Sequence, residues 1–222
     1  MTGDVIGRFP NATIVAPGAT IGHQEVDHRV ANSLQMISSL LTIQARDTAD
    51  QIVRDALESA VHRINAVAGV HQHLYRSSLA HSIDIAPYLL KLSSKMERCC
   101  GTGAVPRQIN THVQSHLVPA DFASMLGIVI NELVMNACKH AYAPDEPGEI
   151  DIVLFFPNRS EFLMEVRDYG GVADVQKIPL GSGMGMRVID AIGRNLNAVH
   201  THVADDEGTR FVMRGTVSLS SA

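Results

Sequence analysis

The sequence predicts an α+β protein in which a helical hairpin precedes a second unit of helices packed on one face of a mixed or antiparallel sheet. Apolar residues recur at helical spacing in two consecutive runs between about 24 and 75. Beyond about residue 85, helical runs and short strand-like runs follow one another. Turn-forming residues sit where these elements must reverse. With 222 residues, 45% of them hydrophobic and 18% charged, the chain can bury a sizeable core.

Residues 1–20 carry Gly3, Gly7, Pro10, Pro17 and Gly18, too much punctuation for a useful helix, and are expected to form a mobile arm or a short edge strand. From Gln24 to Arg46, Val30, Leu34, Ile37 and Leu41 step by four, three and four, the seam of a helix that packs on another. From Asp50 to Tyr75, Ile52, Ala56, Ala60, Ile64, Val67, Val70 and Leu74 answer it, and the break at 46–49 permits an antiparallel hairpin. One hairpin buries too little of two such seams, so a homodimer forming a four-helix bundle is expected. The expected units are thus an arm at 1–20, the hairpin at 21–78 and the α/β unit at 79–222.

That second unit begins with an amphipathic stretch, Ile85 to Arg98, and an alternating segment, Gln108 to Gln114. Pro119 and Asp121 suit a helix start before the run from Phe122 to Tyr142. Ile150 to Phe156 and Phe162 to Arg167 read as strands joined by a turn. A glycine-rich segment at 181–185 opens a helix from Met186 to Asn195, and strands Ala198 to Val203 and Arg210 to Val217 close the chain.

A net charge of −5 leaves no basic field for nucleic acid. Cys99, Cys100 and Cys138 are odd in number and lack C-x-x-C spacing, which fits thiols in a reducing, cytoplasmic compartment better than a disulfide scaffold, with Cys99 and Cys100 at a helix end. No stretch approaches the roughly 18 uninterrupted apolar residues of a membrane span.

Chemistry concentrates in three places. Asn131 to His140 puts Glu132, Asn136 and His140 one turn apart on a helix face, with Lys139 beside them. Such a stripe can be a solvated face; it also suits an Asn136 amide oxygen on Mg²⁺, which prefers hard oxygen ligands, with Glu132 holding a water or polarising a nucleophile. Asp168-Tyr169-Gly170-Gly171 ends a strand with a carboxylate and a glycine turn, able to accept a hydrogen bond from an adenine amino group. Gly181-Ser182-Gly183-Met184-Gly185 lets backbone approach phosphate at a helix N-terminus, without the Gly-Lys-Ser/Thr of a Walker A loop.

In this order the three resemble the N, G1 and G2 boxes of the Bergerat-fold (GHKL) ATPases, and the likeness spans about 84–217. It implies an α/β sandwich binding ATP and Mg²⁺. Asn136 corresponds to the magnesium ligand, Asp168 with Gly170 to the adenine-reading turn, Gly183 and Gly185 to the phosphate-side glycines, and Gly208-Thr209 to the Gly-Thr pair opening the last strand. Glu25 to Arg46 is similar to the H box of HisKA_2-type histidine kinases, relatives of the HWE group. The resemblance implies that His28 accepts the γ-phosphoryl group of ATP and hands it to a response regulator receiver domain, with input from a separate sensor protein. Glu132 or Asp27 would orient the His28 proton. His28 lies two residues before Val30, about 200° around the helix, so its imidazole is expected on the solvent side.

This chain has Ala31 and Ser33 where the H box usually has Lys and Asn, and Val172 where G1 usually has a second glycine. The competing function is a non-enzymatic phosphotransfer or scaffold protein with a degenerate ATPase domain; an anti-sigma-type serine kinase would have no use for the hairpin. His71 with His73 and His200 with His202 are the nearest metal-like pairs; the members of the first, two apart on a helix, face about 200° from each other and cannot chelate one ion, and the second lacks a third ligand.

Overall fold

The structure, a computed structural model, describes residues 19–74, 82–100, 105, 107–143, 146–171 and 184–217. Helices α1 (Ala19–Asp47) and α2 (Gln51–Leu74) form the hairpin. Asp50 caps α2, its Oδ1 accepting the Ile52 N–H at 2.8 Å. Arg54 reaches back across the turn to donate to the Thr48 carbonyl at 2.6 Å and the Ala45 carbonyl at 3.2 Å. Further up, the Ser38 hydroxyl meets Asn65 Oδ1 at 3.2 Å, which fixes the antiparallel register.

The packing seam differs from the expected one by about one position. Among the described side chains of α1, Ala31, Ser38 and Ala45, seven apart, are the buried ones, while Val30, Leu34 and Leu41 are half-buried and Ile37 is exposed. Small side chains let the helices approach closely along that line, and the larger apolar residues flank it. Met36, Leu40 and Ile43 then form a separate exposed apolar stripe, 140–200° around the helix from Ser38 at about 100° per residue.

The second unit contains β1 (Ser82–Asp84), α3 (Ile85–Cys100), β2 (Arg107–Val113), β3 (Leu117–Pro119), α4 (Ala120–His140), β4 (Gly148–Phe155), β5 (Glu161–Asp168), α5 (Met184–Asn195), β6 (Val199–Asp205) and β7 (Gly208–Thr216). Its main sheet is mixed, in the order β2-β4-β5-β7-β6, with only β2 and β4 parallel. That parallel pair requires a crossover, and α4 provides it. Ile150, Ile152 and Leu154 of β4, Phe162 and Met164 of β5, and Phe211 and Met213 of β7 present the sheet's buried face to the helices. β1 and β3, three residues each, pair with one another and were too short to read from the sequence.

By length and composition α4 could cross a membrane, but 61% of its apolar window is buried inside the fold, so it is the central core helix. Against it lies the far end of α2. Ala66 and Val70 are fully buried in one cluster with Ile83, Tyr88 and Leu126, and the Tyr88 hydroxyl donates to the Ala66 carbonyl at 3.1 Å. The hairpin is therefore built into the core of the second unit at this end.

Two of the three cysteines depart from the expectation of free thiols. Cys100, the last residue of α3, is bonded to Cys138 on α4, with Cα atoms 5.4 Å apart, and Cys99 is free and exposed. α3 and α4 pack so that their ends meet, a proximity that a separation of 38 residues hides. Closing a loop of that length restricts the unfolded chain by about 4 kcal/mol.

Candidate functional site

The candidate site is assembled where α4 ends beside β5, β7 and α5. Asp168, the last residue of β5, is 6% exposed. Its Oδ1 accepts the Thr209 N–H at 3.1 Å and the Gly170 N–H at 3.3 Å. Burial lifts the carboxyl above the usual aspartate range, opposed by those donors. The backbone around it is tight. A Cβ at Gly170 would lie 1.8 Å from the Ala141 carbonyl oxygen, and one at Gly208, whose φ is +119°, would lie 2.1 Å from the Asp168 carbonyl oxygen. Glycine at both positions lets β5, β7 and the end of α4 close around the carboxylate.

A second layer holds that corner. The Tyr142 hydroxyl accepts the Tyr169 N–H at 2.9 Å and donates to the Glu149 carbonyl. Beneath it the buried Arg107 stacks its guanidinium on the Tyr142 ring, 4.8 Å from the centroid, and donates to the Ala143 carbonyl at 2.7 Å. Neither Tyr142 nor Arg107 was singled out from the sequence, because each acts only through contacts between separate elements.

One to two turns back along α4 lies the polar stripe. Asn136 is exposed, Glu132 is buried at 5% exposure, and both face the start of α5. The position of a Cβ on Gly185 would be 2.7 Å from Glu132 Oε2 and 3.8 Å from Asn136 Nδ2. Asp168 and Gly170 thus mark one end of the site, and Asn136, Glu132 and Gly185 the other. Lys139 lies 3.8 Å from Asp55 of the hairpin, a loose and half-exposed pair.

Sequence reasoning connected Glu132 to the hairpin only through the His28 proton, yet both its oxygens face an arginine there. Arg63 of α2 donates through Nε to Oε1 at 2.7 Å and through Nη2 to Oε2 at 3.1 Å, with the Ser59 hydroxyl 3.5 Å away. Asp55, Ser59 and Arg63 step by four along α2, a polar stripe whose spacing was available to be read. Gly183 lies outside the described residues, as do Val172 and residues 173–180. His28 lies on α1, but its side chain is likewise outside them. By helical rise and hairpin register, His28 sits roughly 12–18 Å along the hairpin axis from the level of Arg63.

Residues 25–100 match the family model HisKA_2, described as histidine kinase, and residues 102–214 match HATPase_c_2, described as a histidine kinase-like ATPase domain. The sensor histidine kinase PdtaS of Mycolicibacterium smegmatis is 34% identical over 140 residues, which cover 63% of this chain and 27% of that protein. Blue-light-activated histidine kinase 2 of Erythrobacter litoralis is 25% identical over 179 residues, 78% of this chain and 51% of that protein. The chain thus spans about a quarter to a half of the length of these relatives. Among solved structures, the blue-light activated histidine kinase of Erythrobacter litoralis EL346 superposes with a TM-score of 0.66 at 22% identity, covering 97% of this chain and 64% of that one. The histidine kinase domain of the same protein gives 0.65 at 19% identity, covering 91% and 95%.

Proposed function

Since the chain belongs to the histidine kinase family, we propose that it is an ATP-dependent histidine kinase core that phosphorylates its own His28 and passes the group to an aspartate of a response regulator receiver domain. The observation that carries this reading is the two-ended site, a buried carboxylate at Asp168 and an oxygen-bearing stripe at Glu132 and Asn136 set against the first turn of α5. Asp168 would accept the adenine amino group, and the free N–H groups at the start of α5, with Gly183 and Gly185, would hold the phosphates.

The exposed Asn136 fits a magnesium ligand, since its amide oxygen can be turned toward the same space as Gly185. Asn136 would hold the ion, whose positive charge would supply stabilisation of the negative charge that develops on the phosphates. A neutral imidazole nitrogen of His28 attacks the γ-phosphorus in line; the new N–P bond replaces the bond to the bridging oxygen, and ADP leaves with that electron pair. The imidazole proton passes to a carboxylate, for which Glu132 and Asp27 are the candidates. Lys139, at the end of the stripe, is assigned to the phosphate side, and Thr209 to fixing Asp168. The reading places the chain in the cytoplasm.

Incubation with γ-labelled ATP and Mg²⁺ tests the proposal directly, and an unlabelled wild-type chain would refute it. Asp168→Asn should weaken ATP binding by about 1–3 kcal/mol, since a donor buried at the adenine loses its acceptor. Calorimetry should therefore show an affinity roughly 5- to 150-fold lower. Unchanged affinity would remove Asp168 from the base-reading role.

We also infer that the chain is a homodimer through α1, because Met36, Leu40 and Ile43 form an exposed apolar stripe on the hairpin. Leu40→Glu should shift wild-type dimers to monomers in light scattering at micromolar concentration without loss of helical signal. Monomeric wild type at that concentration would overturn the inference.

A further inference from the structure

Arg63 belongs to the hairpin, yet its guanidinium is held within the phosphate end of the nucleotide site. Its two hydrogen bonds to Glu132, at 2.7 and 3.1 Å, are made to a carboxylate that is itself 2.7 Å from the Cβ position of Gly185, in the first turn of α5. Glu132 is nearly enclosed while Arg63 is 24% exposed, so the arginine is the member of the pair that faces open space. The hairpin is not resting there by chance of a flexible link. Ala66, one turn beyond Arg63, is fully buried and receives the Tyr88 hydroxyl, which sets the height of Arg63 against α4.

Resting on the kinase reading above, we propose that Arg63 is a nucleotide-sensing residue that exchanges Glu132 for the terminal phosphate of ATP. Guanidinium forks bind phosphate oxygens and carboxylates with the same two-pronged geometry. A terminal phosphate carries close to two negative charges at neutral pH, against one on Glu132, so it competes favourably for the same donors. The adenine end is fixed at Asp168 and the phosphates advance along α4 through Asn136 toward Glu132. The γ-phosphate of ATP therefore comes nearest Arg63, and ADP ends one phosphate short. The exchange also has a consequence for Glu132. Paired to Arg63, its oxygens are occupied as acceptors; with Arg63 turned to phosphate, the carboxylate is free to take a proton. The base would then be released only when a transferable group is present.

The test is to compare ATP and ADP affinities by calorimetry in Mg²⁺ for wild type, Arg63→Gln and Arg63→Lys. Arg63→Gln should lose about ten- to a hundredfold in ATP affinity, the scale of hydrogen bonds to a charged group, while ADP affinity changes less than about twofold. Arg63→Lys, which keeps the charge and loses the fork, should fall between the two. A purely structural Arg63 would lower both affinities together or neither, and that result overturns the assignment while leaving the kinase reading intact. A wild-type chain that binds neither nucleotide sinks both readings.

Discussion

His28→Gln is expected to abolish incorporation of label from γ-labelled ATP completely, while wild type carries an acid-labile, base-stable phosphoryl group. Glutamine keeps the length and polarity of the side chain but has no nucleophilic ring nitrogen, so the loss reflects chemistry and leaves α1 intact. Nucleotide affinity should stay at the wild-type value, because Asp168 and Asn136 stand on other elements. Label retained in the folded variant would remove His28 as acceptor. The same assay separates the competing function: a phosphotransfer protein without kinase activity would accept phosphate on His28 from a phosphorylated receiver domain and none from ATP.

Gly170→Ala is expected to cost a hundredfold or more in ATP affinity, about 3 kcal/mol, together with a lower melting temperature. The added methyl group would meet the carbonyl oxygen of Ala141 at 1.8 Å and its carbon at 2.4 Å, both backbone atoms that no rotamer change can move. Relief requires β5 to part from the end of α4, and this separates Asp168 from the surface on which the base would lie. Gly171→Ala is the control, since nothing lies within 4 Å of its Cβ position. Calorimetry and thermal unfolding of both variants check the expectation. Wild-type affinity in Gly170→Ala would show that the nucleotide does not occupy this corner.

Much of the architecture was legible because its signals are periodic. The run from Phe122 to Tyr142 announced α4, and the segments 150–156 and 162–167 announced β4 and β5, since each alternates or repeats over enough residues to stand out. Asp168 and Gly170 were legible as a strand-ending carboxylate followed by a glycine turn. What escaped were contacts between elements distant in the chain. Arg63 lies 69 residues from Glu132, and Cys100 lies 38 from Cys138. No local pattern encodes which polar stripe meets which, and a cysteine pair joining two helix ends follows from their packing alone. The hairpin seam failed differently: the larger apolar side chains drew the eye, while the closest approach runs through Ala31, Ser38 and Ala45.

The burial of Ala66 and Val70 beside Ile83, Tyr88 and Leu126 bears on how the molecule comes apart. A hairpin tethered by a linker would melt as its own unit, leaving the sheet standing. Here the far half of α2 shares one apolar cluster with α4, so exposing it strips the face of the helix that carries Glu132 and Asn136. The turn at 48–50 is free to fray on its own, while the half of α2 beyond Arg63 opens only with the sheet. Loss of the phosphotransfer element and loss of the ATP site are then one cooperative event, and a destabilising change in either unit is felt by both.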